Sequence, residues 1–376
     1  MSAQKHISMK KGRGWAMNTL KNQNGSTIIM VVVTLIALFA FAVIAIDGAV
    51  LVTSKAQLQS AADAAALAGA SGLIEGSDDL AVERAISYAS YNKAVEVDQT
   101  PVVITDDDVT FPEVDVCRVR THRTEATGDA LRTYFLQVID PGRNTGDMAA
   151  VAAARAYDVC GSKCMKPWAI PDRWNDENAN GVYDPGETYD KNATGYVAPV
   201  DVGTQIVLKV GNPHQTISPG VFYPVNYPPL DNDEGMKPLT GGNWYEQWIA
   251  DCEPYMIEEG DRLQLEPGNM VGPTMHGMED LISQDPGARW DNSTKSIVNS
   301  AYGASPRIGL VPFFDPTLPP APGRNWVRVV KIGAFFIENV GGGGEVTGRF
   351  IQITTAGVPC GYGLGSSLVK GIVLIE

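Results

Sequence analysis

Residues 28–46 read IIMVVVTLIALFAFAVIAI, with no charged side chain and Thr34 as the lone hydroxyl. At about 1.5 Å rise per residue this run nearly spans a hydrocarbon core of roughly 30 Å. It continues past Asp47-Gly48 into Ala49-Val50-Leu51-Val52, so the expectation is a transmembrane helix over residues 27–52. Upstream, residues 1–26 hold Lys5, Lys10, Lys11, Arg13 and Lys21 and no acid; downstream come Asp47 and then only Lys55. That asymmetry predicts a basic cytoplasmic tail over 1–26, a single pass, and the bulk of the chain outside the cytoplasm. The rival reading is a cleaved signal peptide. The apolar run is longer than an ordinary signal core, and Ala49, Ala56 and Ala61 form a weak cleavage pattern, so the anchor is preferred.

Working outward, the tail's five bases leave −19 on the remainder of a chain whose net charge is −14. A surface so acidic is a poor nucleic-acid ligand, because phosphate contacts need Lys and Arg; it suits a solvated, cation-tolerant exterior. The 376 residues leave room behind the anchor for one large or two small domains. Directly after the apolar run, Ser54 to Ala70 reads SKAQLQSAADAAALAGA. Alanine is the best helix former and no proline interrupts, so the anchor helix is expected to continue out of the membrane. Leu51, Leu58, Ala62 and Ala65 recur at helical spacing. That face serves either the chain's own domain or, as in a pilin-like stalk, neighbouring subunits.

The run Gln59-x-x-Ala62-Asp63-Ala64-Ala65-Ala66-Leu67-Ala68-Gly69, with the basic tail, the Gly25-Ser26 step and the apolar segment before it, resembles the N-terminal segment of TadG-like proteins of tight-adherence (Flp) pilus assembly. The resemblance covers about residues 25–70. Cys164 to Asp172 (CMKPWAIPD), Glu266 to Thr274 (EPGNMVGPT) and Ser305-Pro306-Arg307 are similar to longer bacterial members. The resemblance implies a bitopic protein of the bacterial inner membrane with a periplasmic domain. It would assist assembly or anchoring of a surface pilus beside other pilus-assembly or pseudopilin-like proteins, and it implies no catalytic residues. Pilins cut by a prepilin peptidase carry Glu five residues after the cleavage glycine; counted from Gly25 that position is Met30, which speaks against processing there.

Further along, Asp78 to Val97 predicts a helix capped by Ser77, with Val82, Ile86 and Ala89 on one face. Val102 to Ile104, Val109 to Phe111 and Val114 to Arg123 predict strands. Asp129 to Ile139 predicts a short helix, and alanine-rich Met148 to Tyr157 a returning strand, with helix as the alternative. Together these give an α+β fold class: a pilin-like helix-plus-sheet module over 53–158, then a β-rich, loop-rich domain over 159–376. In the latter, strands are expected at Gln205 to Val210, Val221 to Val225, Ile308 to Phe314, Trp326 to Glu338, Glu345 to Thr354 and Ser367 to Ile375. Gly341 to Gly344 should form a hairpin loop between two of them. Thr274 to Ser283 should form the one clear helix there, capped by Thr274.

Asp176-Glu-Asn-Ala-Asn-Gly-Val-Tyr-Asp-Pro-Gly-Glu187 fits the calcium-loop pattern. Asp176, Asn178 and Asn180 would offer side-chain oxygens, Gly181 the sharp turn, Val182 its carbonyl, Asp184 a carboxylate or water contact, and Glu187 a closing carboxylate. No amphipathic helix flanks the run, so calcium is expected in a structural role; an Asn/Asp-rich surface turn is the alternative. Asp231 to Glu234 is acidic without the pattern. Of five cysteines, Cys160, Cys164, Cys252 and Cys360 make an even set for disulfides in an oxidising compartment, with three possible pairings and Cys117 left over.

An enzyme is not expected. Among four histidines, His6 lies in the tail, His122 and His214 have no motif around them, and His276 with Glu279 is the best lone candidate. No small-molecule substrate is inferred. Two functions stay open, a pilus assembly or anchoring protein and a calcium-stabilised envelope or surface adhesion protein that shares only the anchor. A periplasmic enzyme is a distant third.

Overall fold

The protein is described from a computed structural model over residues 24–93, 101–132, 145–212, 223–320, 326–361 and 363–376. Helix α1 (Asn24–Ile74) runs unbroken from the apolar segment through the alanine run. Its two halves belong to two compact units, residues 1–54 with 123–148, and residues 55–122 with 149–376.

In the first unit none of the most apolar stretch of α1 is buried; Phe41, for example, is 73% exposed. Side chains so apolar and so bare need a non-aqueous surrounding, and this is the single helix long and apolar enough to cross a membrane among the described residues. The helix expected from Asp129 is not formed at its described end: Leu131–Arg132 pairs antiparallel with Thr145–Gly146. Asp129 instead closes a turn, accepting from Thr124 N at 3.1 Å and Thr127 Oγ1 at 2.5 Å. A carboxylate spent on a turn behind Gly128, at φ 77°, does not start a helix. Residues 133–139 of that expectation, and residues 1–23 of the basic tail, lie outside the described residues.

In the second unit the alanine half of α1 is buried: Leu58, Ala61, Ala62, Ala65, Ala66 and Ala70 are each at 0% exposure. It packs against α2 (Asp78–Tyr91), capped as expected by Ser77, whose hydroxyl accepts from Leu80 N. The inward face of α2 is Ala81, Ala85 and Ala89, with Val82 and Ile86 half-buried at its sides. Larger side chains were the natural expectation, but the backbones approach too closely for them. A Cβ on Gly72 would lie 2.5 Å from both N and Cα of Ala81, and one on Gly69 3.3 Å from Ala81 O.

Two sheets complete this unit. The first runs Val109–Glu113, Val116–Arg123, Met148–Ser162, Val369–Leu374, Ile353–Thr354. Alanine-rich Met148–Ser162 is a strand despite its helix propensity, because strands claim its backbone and α1 reaches it through Gln59 Nε2 on Val151 O at 2.9 Å. Val102 to Ile104 forms no strand, and Val114-Asp115 is the turn before Val116. The second sheet centres on Trp326–Val340, between Ile308–Phe314 on one side and Val346–Ile351 and Arg262–Leu265 on the other; Val346–Ile351 in turn carries Gln205–Lys209. Gly341 to Gly344 forms the hairpin turn, with Gly343 at φ 72° and Gly344 at φ 74°. Of the strand expected at Val221, only Val225–Asn226 is strand among the described residues, since 221–222 lie outside them.

The boundary expected at 158/159 is not where the sheets divide. Val369–Leu374, from the end of the sequence, pairs with Met148–Ser162 from Lys370↔Asp158 to Leu374↔Ala154. Long-range pairing of this kind leaves no trace in local composition. The expected helix at 274–283 begins earlier, at Val271–Gln284. Pro273 sits in its first turn, where a missing N–H costs nothing, and Thr274 is inside the helix, donating to Met270 O at 2.7 Å. A second helix, Gly242–Ala250, was not expected; it buries Tyr245, Trp248 and Ile249.

Because the α1–α2 contact is backbone on backbone, Gly72→Ala should lower the unfolding free energy of the full chain in detergent by about 1–3 kcal/mol. Gly48→Ala, where a Cβ meets nothing within 4 Å, should leave it unchanged. Tryptophan-fluorescence denaturation curves of the two variants check this.

Candidate metal centre

The acidic loop stands on a buried polar base. Asp172 is fully buried. Its carboxylate accepts from Arg173 N and Tyr196 N, both at 2.9 Å, from Tyr189 Oη at 3.0 Å and from Lys331 Nζ at 3.1 Å. Lys331 also donates to the carbonyls of Lys191 and, at 2.8 Å, Tyr196. Burial lowers the pKa of its amine, against the pull of Asp172. Arg173 extends the base to Asp201 at 2.6 Å. The spacing of ligand types had not pointed to this base. The signal for it was present in the sequence, as an acid ending the CMKPWAIPD run and a lysine inside an apolar strand.

Above it, Asn175 and Thr188 pair as a bridge that closes the loop, and Trp174 stacks edge-on to Tyr183 at 6.3 Å. No helix flanks it, as expected. Gly181 takes φ 73°, the turn its pattern position demands. Asp176 accepts from Asn180 N at 3.2 Å and Gly181 N at 2.8 Å, and Asn180 Oδ1 from Val182 N at 2.7 Å. The amides of Asn178 and Asn180 both donate to Asp184, at 2.9 and 2.7 Å, which holds its carboxyl below the usual carboxylate range. Glu187 turns to Trp174 Nε1 at 2.9 Å, Asp184 N at 3.0 Å and Glu177 N at 3.2 Å. The structure thus brings Asn178, Asn180 and Asp184 together and ties Glu187 to the loop's own N–H groups. No group of three or more His, Cys, Asp or Glu is placed to hold a metal among the described residues.

Four of the five cysteines are paired. Cys160 is bonded to Cys360 and Cys164 to Cys252, with Cα atoms 4.9 and 4.4 Å apart, spanning 200 and 88 residues of sequence. Cys117 is free and buried, and burial pushes its thiol up to about 12, which keeps it an unreactive packing group. The first bridge borders an 860 Å³ cleft whose lining includes Asp158, Lys191, Glu259 and Lys331. Each is in an ion pair, Asp158 with Lys370, Lys191 with Glu259 and Lys331 with Asp172. His122 bonds Asp108 at 3.1 Å; His276, 66% exposed, stands 3.5 Å from Glu246 instead of joining Glu279. His6 and His214 lie outside the described residues.

Taken together, one bare apolar helix and a cystine-bearing α+β region describe a chain of the membrane-anchor-like class. Residues 25–72 match the Tad family model, described as "Putative Flp pilus-assembly TadE/G-like". The match falls on the segment whose residues carried the resemblance. It supports a role in Flp pilus assembly, at a membrane and with the pilus machinery. No curated protein and no solved structure matches the chain.

Both bridges close long loops, so removing either should lower the unfolding free energy of the full chain by about 2–5 kcal/mol. The Cys160→Ser/Cys360→Ser pair should cost more than Cys164→Ser/Cys252→Ser by roughly 0.7 kcal/mol, from the longer loop alone. Denaturation midpoints of the two double variants give the comparison.

Proposed function

We propose that this chain is a single-pass protein of the bacterial inner membrane, N-terminus in the cytoplasm and bulk in the periplasm, that assists assembly or anchoring of a Tad (Flp) pilus by binding other pilus-assembly or pseudopilin-like proteins. The observation that carries the reading is the Tad match over residues 25–72 on a helix that is apolar and bare in one half and small-residued and buried in the other. The basic tail supports the orientation, and the cystines suit an oxidising periplasm. The role is structural and interactive, without catalysis. Deleting the gene from its host should reduce surface Flp-type pili, with recovery by the full chain and not by residues 54–376 alone. Normal piliation in the deletion strain would reject the reading.

The loop Asp176 to Glu187 binds calcium as a structural brace in the same proposal. Its support is the ligand spacing, the turn at Gly181 and the convergence of Asn178 and Asn180 on Asp184. Binding requires both amides to present Oδ1 in place of Nδ2, and Glu187 to leave Trp174. These local bonds are exchanged for ion contacts, and no distant element moves. Affinity on the order of 10⁻⁴–10⁻³ M is expected for an extracellular loop. At ten times the dissociation constant the stabilisation is about 1.4 kcal/mol. Thermal melts of the full chain with calcium and with chelator should differ accordingly. Glu187→Gln should remove most of the difference and Glu177→Gln little of it; coincident melts of the unmodified chain would leave an ordinary turn.

A further inference from the structure

Strand Gln205–Lys209 pairs with Val346–Ile351 alone among the described residues, so it lies at an edge of the second sheet. Its last residue, Lys209, is fully buried. The Nζ stands 2.8 Å from Asn269 Oδ1 and 2.8 Å from Gly344 O, with Val210 O at 3.4 Å. Asn269 lies between strand Arg262–Leu265 and helix Val271–Gln284, and its Nδ2 donates to Gly211 O at 3.1 Å. The carboxamide is therefore held with its carbonyl facing the amine and its NH₂ turned away. Glu345 lies near enough to the amine to act on its charge. It precedes Val346, the cross-strand partner of Lys209, and a Cβ built on Gly211 would sit 3.2 Å from its Cβ.

We propose that Lys209 and Asn269 join in an intramolecular isopeptide bond, which the chain forms by itself with Glu345 carrying the proton. The Nζ lone pair adds to Cγ of Asn269 and the C=O pair moves onto Oδ1. Collapse of that adduct re-forms the carbonyl and breaks the Cγ–Nδ2 bond. Nδ2 departs as ammonia, taking the proton that Nζ gives up by way of the Glu345 carboxylate. An amine and a primary amide thus become a secondary amide and ammonia, with no change of oxidation state and no outside reactant.

Three features favour the step. The partners are held at hydrogen-bonding distance by a folded frame, which supplies proximity. The amine is pushed by burial down to about 8, with Glu345 pulling the other way, so its uncharged, nucleophilic form is populated near neutrality. The electrophile is an amide, which has a leaving group to lose. Two other lysines, half-buried Lys331 and buried Lys370, meet carboxylates instead, Lys331 on Asp172 at 3.1 Å and Lys370 on Asp158 at 2.5 Å. Those carboxylates also accept from neighbouring N–H groups, Tyr196 N on Asp172 and Gly365 N on Asp158, and a carboxylate so held resists attack by an amine. The bond at Lys209 would tie an edge strand to the segment that starts a helix, a staple that reductants do not open.

Mass spectrometry of the full chain, purified in detergent, reduced, alkylated and digested with trypsin, tests it. The expected product is a branched peptide joining the Lys209 and Asn269 segments, in a chain lighter by one ammonia, with no cleavage after Lys209. Lys209→Arg should abolish the branch. Glu345→Gln, confirmed folded by its melt, should slow branch formation by about a hundredfold or more and return both segments as linear peptides. Linear peptides of full mass from the unmodified chain, or Asn269 recovered as aspartate or succinimide without a branch, would overturn the proposal. A Glu345→Gln chain that branches as fast as the parent would overturn the part assigned to Glu345.

Discussion

Where α1 meets α2, almost no side chain intervenes. Gly72 lies on the backbone of Ala81, and Gly69 faces the Ala81 carbonyl. Glycine on α1 and alanine at the inward positions of α2 make so close an approach possible, and density rather than bulk supplies the contact. The same small face lets Gln59 and Thr121 join α1 to the first sheet, through Val151 O and Leu58 O. Enlarging any of these residues would open the helix pair and, with it, the helical cover over the long strand Met148–Ser162.

The second sheet solves a different problem. Loops and helix ends border much of it, and these leave carbonyl groups without partners. Buried ammonium groups meet that need. Lys166 donates to Ile249 O at 2.6 Å and Asp251 O at 3.0 Å, at the carbonyl end of helix Gly242–Ala250. Lys209 serves the glycine turn through Gly344 O, and Lys331 the segment under the acidic loop. Each amine is shifted down by burial. Glu253 is the acidic counterpart, pushed up to about 7 by burial while accepting from Met165 N and Tyr255 N. The stretch Cys164 to Asp172 is thereby fixed at several points, by Cys164 to Cys252, by Lys166 to the helix end, by Trp168 Nε1 on Tyr245 Oη at 2.7 Å and by Asp172 to Lys331.

Much of this was legible in the sequence, for reasons tied to period and chemistry. The helix from the apolar run through the alanines, the Ser77 cap, the strand Ile308–Phe314 and the glycine hairpin are all local signals. The acidic loop was legible as a loop, with its turn at Gly181. Other features were not legible, because they depend on neighbours distant in sequence. Ala81, Ala85 and Ala89 face inward ahead of Val82 and Ile86 because the opposing helix has no room for more. Thr274 lies within its helix because Pro273 is tolerated in a first turn. Gly242–Ala250 is short, and its aromatic residues read equally well as loop anchors.

By itself the sequence determined that one segment is too apolar for water and long enough for a bilayer, that small residues continue its helix, and that oxygen-bearing side chains alternate around a glycine turn. These follow from composition and spacing within a few turns of chain. Only the tertiary structure decided that Val369–Leu374 returns to pair with Met148–Ser162, that Cys160 meets Cys360 across 200 residues of sequence, and that Lys209 points at Asn269. The physical reason is common to all three. Sheet register and side-chain meeting over such separations are set by which surfaces can be buried together, and no local propensity encodes that choice.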